Sequence, residues 1–507
     1  MSSDNETDTI EFLKNPAIYP SAHSVEIIET HISRIFLAGD RVFKMKRTVK
    51  LPYVDFSTPE FRLQACRKEV ELNSVTAPGL YIGVRRITRE PSGELALDGI
   101  GTLVDAVIEM KRFDQSALLD RMATARTLTP ALLTQTARMI AQFHDVAPIK
   151  RIGSGAFNME AVLDINRAGF STSQVFEKAE VDAIDQAFRT TLARHAALLD
   201  RREKAGKVRR CHGDLHLRNI CLFEGEPRLF DCIEFNEVIA TIDVLYDLSF
   251  LLMDLWHRGL PELANLVMNR YLDEVNDEDG LPLLPFFMAV RAAVRAHVIA
   301  TQAEGTGGAH NEMVKEARSY FSLARELLRE RTVVLIAIGG LSGSGKSTIA
   351  QALAPSIGAP PGARIIESDR VRKALHGVAA ETRLPDKAYQ PKASLRVYRE
   401  MARRAEYLLS RGTSVVANAV FDRPADRAGI EQATVKVSIA FQGFWLVADR
   451  DVLRHRVEQR VGGSSDATVD VLSRQLEREI GGMHWHRVDA DRTPSEIVVD
   501  ILARLSR

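Results

Sequence analysis

The sequence predicts successive domains of mixed α/β and α+β class, the last of them built on a parallel sheet. Three observations predict it. The chain has 507 residues, more than one hydrophobic core usually organises. Residues 333–350 read Val-Val-Leu-Ile-Ala-Ile-Gly-Gly-Leu-Ser-Gly-Ser-Gly-Lys-Ser-Thr-Ile-Ala. There an apolar, β-branched run breaks into Gly340-x-x-x-x-Gly345-Lys346-Ser347 and passes into a helix-forming segment, the context a phosphate-binding loop requires. A third stretch, 207–236, carries His212-Gly213-Asp214, then Asn219 five residues after that aspartate, then Asp231 after a short apolar hairpin.

Composition narrows the classes. Lys+Arg and Asp+Glu both number 67, so the formal charge is zero. That argues against a dedicated nucleic-acid or membrane-surface binder. Cys66, Cys211, Cys221 and Cys232 form no C-x-x-C pair, as expected of reduced thiols in the cytoplasm. The start, Met-Ser-Ser-Asp-Asn-Glu-Thr-Asp, is polar and acidic, so no secretory leader is expected. The longest apolar stretches read from the sequence, around 244–256 and 333–338, are too short to span a bilayer.

Residues 1–24 read as a polar lead-in, 25–330 as a first domain and 331–507 as a second. Ser33–Ala38 and Arg41–Lys46 flank the turn dipeptide Gly39-Asp40 and predict a hairpin. Lys44 and Lys46 leave it on one face, because strand side chains alternate. Ser57-Thr-Pro-Glu predicts a helix start, with Ser57 as cap, Pro59 in the first turn and Glu60 closing a capping box. That helix runs to about Val75 and carries Glu69. Tyr81–Ile87 and Leu103–Met110 are further strands. Thr129-Pro130 opens a helix with the apolar spacing Leu132, Leu133, Ala137, Ile140, Ala141, Phe143. Residues 240–330 are mostly helical, with 302–310 a loose loop. Arg291 and Arg295, four apart, share a face read as solvated or ion-paired.

The 207–236 stretch suits phosphoryl transfer. One carboxylate can orient and deprotonate a hydroxyl, while an amide and a second carboxylate hold Mg²⁺ over a triphosphate. A turn capped by Asp and Asn is the alternative. His212–Asn219 with Asp231 resembles the catalytic signature of the aminoglycoside phosphotransferase and choline kinase group, which shares the protein-kinase fold. The resemblance spans roughly 25–330. It implies that Lys44 is the strand lysine pairing the α/β-phosphates, with Lys46 the competing choice, and that Glu69 is its ion-pair partner. It implies a hinge at Ile108-Glu109-Met110 that receives adenine, Asp214 as the catalytic base, and Asn219 and Asp231 as Mg²⁺ ligands. Phe143-His144 resembles the large-lobe helix ending. Asp247 resembles a helix aspartate that holds the catalytic loop, and His216 reads as a packing residue. The chain departs from the group in lacking a clear glycine-rich loop before Lys44. Residues 151–157 do not supply one, because a helical pattern precedes them and no strand lysine follows.

In the last third, Gly340, Ser342, Gly343, Ser344 and Gly345 can turn backbone N–H groups toward phosphate oxygens, aided by the positive end of the next helix. Lys346 would reach the β/γ-phosphates and Ser347 would hold Mg²⁺, with Thr348 following. Residues 363–372 read as a strand ending in Ser368-Asp369, then a helix. An aspartate there sits at the rim where α/β ligands bind. It could orient an acceptor hydroxyl, with Arg372 holding an acceptor phosphate or developing charge, or it could simply cap the helix. Thr413–Asn418 and Phe441–Val447 are further strands, and Arg450–Arg460 is a basic helix. This half resembles small P-loop kinases such as gluconate kinase, zeta-toxin-like kinases and the kinase half of polynucleotide kinases. Their Ser-Asp-x-x-Arg is matched by Ser368-Asp369-Arg370-Val371-Arg372. Their arginine-rich lid is matched by Arg456, Arg460 and Ser465-Asp466-Ala467-Thr468, and such a lid closes over the transferring phosphoryl. Asn418 stands where many relatives carry Asp, which leaves Mg²⁺ to Ser347 and water.

The whole arrangement resembles bacterial proteins described as bifunctional aminoglycoside phosphotransferase/ATP-binding proteins. The resemblance implies ATP, Mg²⁺ and hydroxyl acceptors without identifying them; a sugar, sugar phosphate or nucleoside is the leading expectation for each module. Two other classes stay open. A kinase acting on nucleic-acid ends would need a basic groove beside Asp369. A regulatory ATP switch would hydrolyse ATP without any small-molecule acceptor.

Overall fold

The computed structural model describes residues 2–30, 32–51, 54–304, 310–459, 462–463 and 465–505. The chain forms two compact units, Met1–Asp164 with Leu192–Arg258, and Ile165–Thr191 with Gly259–Arg507.

In the first unit a six-stranded antiparallel sheet runs in the order Val25–Glu29, Ser33–Ala38, Arg41–Lys46, Thr102–Lys111, Tyr81–Arg89, Leu95–Leu97. Alternation sorts its side chains onto two faces. Phe43, Met45 and Val107 join Leu13, Tyr19 and Phe36 on one. Ile108 and Met110 join Cys66, Leu80, Cys221 and Phe223 on the other. Lys44 and Lys46 lie on this second face, against the helix Pro59–Thr76. That helix is capped by Thr58, whose Oγ1 accepts the Phe61 N–H at 3.3 Å. Ser57, the expected cap, instead donates its hydroxyl and N–H to the Asp55 carboxylate. The Pro130–Val146 helix is capped by Thr129, where expected.

Residues 1–24 are more than a lead-in. Ser2–Lys14 is a helix, Leu13 is buried, and the Tyr19 ring lies 4.8 Å from that of Phe43. Polar composition hid the apolar positions Ile10 and Leu13, three apart, which face the sheet together.

The second unit contains the helices Pro261–Val275, Leu284–Glu304 and His310–Leu327, followed by a five-stranded parallel sheet. The expected loop at 302–310 is helical up to Glu304 and from His310, and 305–309 lie outside the described residues. Among the described residues, Glu278–Ala303 is long and apolar enough to cross a membrane, longer than the apolar stretches singled out from the sequence, and 72% of its apolar 18-residue window is buried within the fold. The sheet order is Arg364–Glu367, Val415–Asn418, Val334–Gly340, Ala440–Val447, His486–Asp489. Covered on both faces, its strands are continuous apolar runs such as Leu335–Ile338. The register sets Ile338 and Glu367 beside Asn418, so the carboxyl ends of three strands meet next to the phosphate loop. Ligands bind at this edge of such sheets.

Candidate active sites

In the first unit, three chain segments converge on one charged cluster: the strand Arg41–Lys46, the helix Pro59–Thr76 and residues 231–234. Lys44 Nζ lies 2.8 Å from Glu69 Oε1 and also contacts the Asp231 carboxylate. Lys46 takes the other oxygen of Glu69, and Glu234. The two lysines therefore differ in what they reach: Lys44 meets Asp231, Lys46 meets Glu234. Glu69 is fully buried and serves both. Asn73, one turn on, donates to the Glu69 carbonyl at 2.8 Å and accepts the Cys232 N–H at 3.0 Å, which ties the helix to the segment after Asp231. Burial tends to raise the Asp231 carboxyl, but the Lys44 and Lys46 ammoniums hold it below the usual carboxylate range.

Asp214 sits on a loop fixed from several sides. The His212 and Gly213 N–H groups donate to the Asp247 carboxylate at 3.1 and 2.9 Å, and His144 Nε2 meets the same group at 3.1 Å. Burial pushes the His212 imidazole below its usual value. Its Nδ1 accepts the Asp214 N–H at 3.3 Å, so Nε2 carries the hydrogen and donates to the Phe230 carbonyl at 3.0 Å. Asn219 Nδ2 donates to both Asp214 Oδ2 and the Asp214 carbonyl at 2.9 Å. His216 does more than pack: its ring meets Phe250 edge-on, and its Nε2 lies 3.3 Å from Asp214 Oδ2. Glu109 and Met110 do not leave the sheet. They have strand neighbours on both sides, Glu109 pairs with Arg85 at 3.0 Å, and the chain departs the sheet only after Lys111.

The second unit holds a cleft of about 1000 Å³ at the carboxyl edge of its sheet. Gly340, Ser342, Gly343, Ser344, Gly345 and Lys346 form its loop. A Cβ at Gly343 would stand 2.5 Å from the Leu453 carbonyl, so the loop can pass there only as glycine. Gly345, at φ +85°, has nothing within 4 Å of the corresponding position, and the helix Lys346–Leu353, with Ser347 and Thr348 in its first turn, starts there. Lys346 Nζ donates to the Leu341 carbonyl at 2.8 Å, and Ser347 Oγ donates to Glu367 Oε1 at 2.8 Å. Glu367 escaped the sequence reading because it ends a strand run and adjoins the more conspicuous Ser368-Asp369. An acid at the carboxyl end of a parallel strand next to a phosphate loop was the available signal.

Asp369 lines the cleft. Burial and the Glu367 charge raise its carboxyl above the usual range, against Arg372 and Lys346. Arg372 lies over the Tyr389 ring at 4.7 Å and donates to the Ala388 carbonyl at 2.7 Å. Arg456 does not reach the cleft. Its guanidinium donates to the Ala490 carbonyl at 3.0 Å, because its helix turns that side chain toward the last strand. Arg460 lies outside the described residues. Arg474 and Arg478 line the cleft instead, with Arg478 held 2.8 Å from Asp422. Asp466 joins the Tyr389 hydroxyl and Lys373, at 3.2 Å from the latter, tying its loop to the cleft wall. Asn418 Nδ2 and Ser344 Oγ are buried at the same edge without hydrogen-bond partners among the described residues.

Residues 106–284 match the Phosphotransferase enzyme family, and residues 335–480 match the AAA domain. Over 475 residues the chain is 30% identical to Rv2004c, an uncharacterized protein of Mycobacterium tuberculosis (strain ATCC 25618 / H37Rv), covering 92% of each chain. Among solved structures it is similar to a choline/ethanolamine kinase family protein from Mesorhizobium loti at 15% identity, covering 65% of this chain and 95% of that one, with a TM-score of 0.41. A gluconokinase from Sinorhizobium meliloti 1021 is similar at 24% identity, covering 35% and 94%, with a TM-score of 0.25. The chain is a kinase/phosphotransferase enzyme, and it belongs to the family of that mycobacterial protein, a phosphotransferase-family domain followed by a P-loop kinase domain.

Proposed function

We propose that the chain carries two phosphotransferase modules, residues 25–330 and 331–507, each moving the γ-phosphoryl of ATP to a hydroxyl of a small molecule. The observations that carry this reading are the convergence of Lys44, Glu69, Asp214, Asn219 and Asp231 in one unit and the presence of a phosphate loop in the other. In the first module, Glu69 holds the Lys44 ammonium toward the phosphates. Asp214 accepts the proton of the acceptor hydroxyl, steadied by Asn219 and His216 on Oδ2. Because the Asn219 amide nitrogen is committed to Asp214, its Oδ1 is the atom left to a cation, together with the Asp231 carboxylate. Those hard oxygens fit Mg²⁺, which when bound neutralises charge on the triphosphate.

In the second module, the unfilled hydrogen-bonding groups of Ser344 and Asn418 and the open space over Gly345 fit an anionic phosphate. Ser347 and Glu367 fit Mg²⁺. Asp369 accepts the acceptor's proton, and its raised carboxyl makes it a better base than an ordinary aspartate. The four cysteines are buried free thiols, which supports a cytoplasmic assignment. The reading is tested by counting bound non-hydrolysable ATP analogue on the full chain. Wild type and Asp214→Ala bind two per chain, and Lys346→Ala binds one. A wild type that binds fewer than two contradicts it.

A further inference from the structure

The strand that ends in Glu367 is registered against the helix Pro261–Val275, which precedes the phosphate-loop domain in sequence. Asn269 Oδ1 accepts the Ile365 N–H at 2.8 Å, and Asn265 donates to the Pro361 and Ala363 carbonyls at 3.0 and 3.1 Å. Arg364, only 2% exposed, donates to Asp273 Oδ1 at 2.8 Å, to Glu278 Oε1 at 2.8 Å and to Asn269 Oδ1 at 2.9 Å. Asp273 is thereby fixed, and its second oxygen accepts from Arg270 NH1 at 2.9 Å and from Arg370 NH1 at 3.1 Å. The Arg370 guanidinium lies 3.4 Å, through Nε, from Glu367 Oε2. Glu367 uses its other oxygen to hold Ser347 at 2.8 Å.

Arg370 thus stands between two carboxylates that compete for it. Resting on the assignment of Ser347 and Glu367 to the cation of the second module, we propose that Asp273 is a positioning residue for that site: by drawing Arg370 away from Glu367, it leaves Glu367 directed at Ser347. Without the Asp273 charge, Arg370 pairs fully with Glu367 and withdraws it from the cation. Neighbouring charges of this kind commonly change metal affinity by about 10–100-fold when removed. The phosphate-loop site therefore includes a residue of the helical segment ahead of residue 331.

The test uses the full chain, Mn²⁺ and a non-hydrolysable ATP analogue, with bound Mn²⁺ read by electron paramagnetic resonance and melting followed alongside. The class of Mn²⁺ sites lost in Ser347→Ala defines the phosphate-loop site. Asp273→Asn keeps the shape and leaves Arg364 its bonds to Glu278 and Asn269. It is expected to weaken that class by about tenfold or more. Adding Arg370→Gln is expected to restore the affinity, because the competitor is gone. If Asp273→Asn merely damaged the fold, the double variant would be worse than the single one, and that result overturns the proposal, as does an unchanged Mn²⁺ affinity in Asp273→Asn. If Ser347→Ala removes no class of sites, the underlying assignment fails and the proposal falls with it.

Discussion

The two sites reach readiness by opposite routes. In the first unit the charges satisfy one another: two lysines share Glu69, and each takes a second carboxylate, Asp231 or Glu234. In the phosphate-loop cleft, groups wait for something outside the chain: Ser344 Oγ, Asn418 Nδ2 and Arg372 Nε are buried without partners among the described residues. A self-paired cluster is bound into the stability of its unit, because a buried charge left alone is costly. A loop of glycines and unfilled donors contributes little to folding and most of its free energy to binding. Substitutions in the first site should therefore read out in stability, and in the second in affinity and turnover.

The largest effect on stability is expected at Glu69. Glu69→Gln strips two buried ammoniums of their shared counter-charge and should cost about 3–5 kcal/mol, seen as an earlier urea transition of the first unit. A denaturation midpoint equal to wild type would mean that the cluster relaxes and is not structural. Glu278 extends the same logic into the second unit, away from the loop. Burial alone would raise its carboxyl, but Arg364 and Arg404 more than offset this and hold it at about 2, against an ordinary 4.5. A depressed carboxyl gives stability that is complete above about pH 4.5 and lost as pH falls toward 2. Glu278→Gln should remove that pH dependence and about 3 kcal/mol at neutral pH, measured by melting across pH 2–7. Equal acid sensitivity in the two proteins would sink the idea.

Lys346→Ala should act in the other currency. Second-module turnover should drop about a hundredfold or more with stability changed by less than about 1 kcal/mol; a large melting shift would blur the distinction between the sites. Arg456→Ala should do least. Its hydrogen bond to the Ala490 carbonyl costs about 1 kcal/mol to lose, and turnover by the second module should hold. A strong loss of turnover there would restore Arg456 to the cleft.

What was legible in the sequence follows from how far apart the cooperating residues lie. The phosphate loop is contiguous, so strand, glycines, Lys346 and Ser347 appear in one window. The hairpin bearing Lys44 and Lys46, and the Asp214–Asn219 spacing, are equally local. The choice between the lysines was not, because it depends on Asp231 and Glu234, nearly two hundred positions away. Glu367 was hidden by strand order: only the pairing of its strand with the one ending in Asn418 sets it at Ser347. Arg456 was misplaced because a basic helix does not disclose which turn faces the cleft. The cap at Thr58 in place of Ser57 was decided by Asp55, which captures the serine.

Two separate phosphotransferases in one chain should yield two separable products. The most direct measurement supplies labelled ATP and a pooled extract of cytosolic metabolites, and reads products by mass for wild type, Asp214→Ala and Lys346→Ala. Each substitution is expected to abolish a different phosphorylated product. Release of inorganic phosphate alone by the wild type would contradict it.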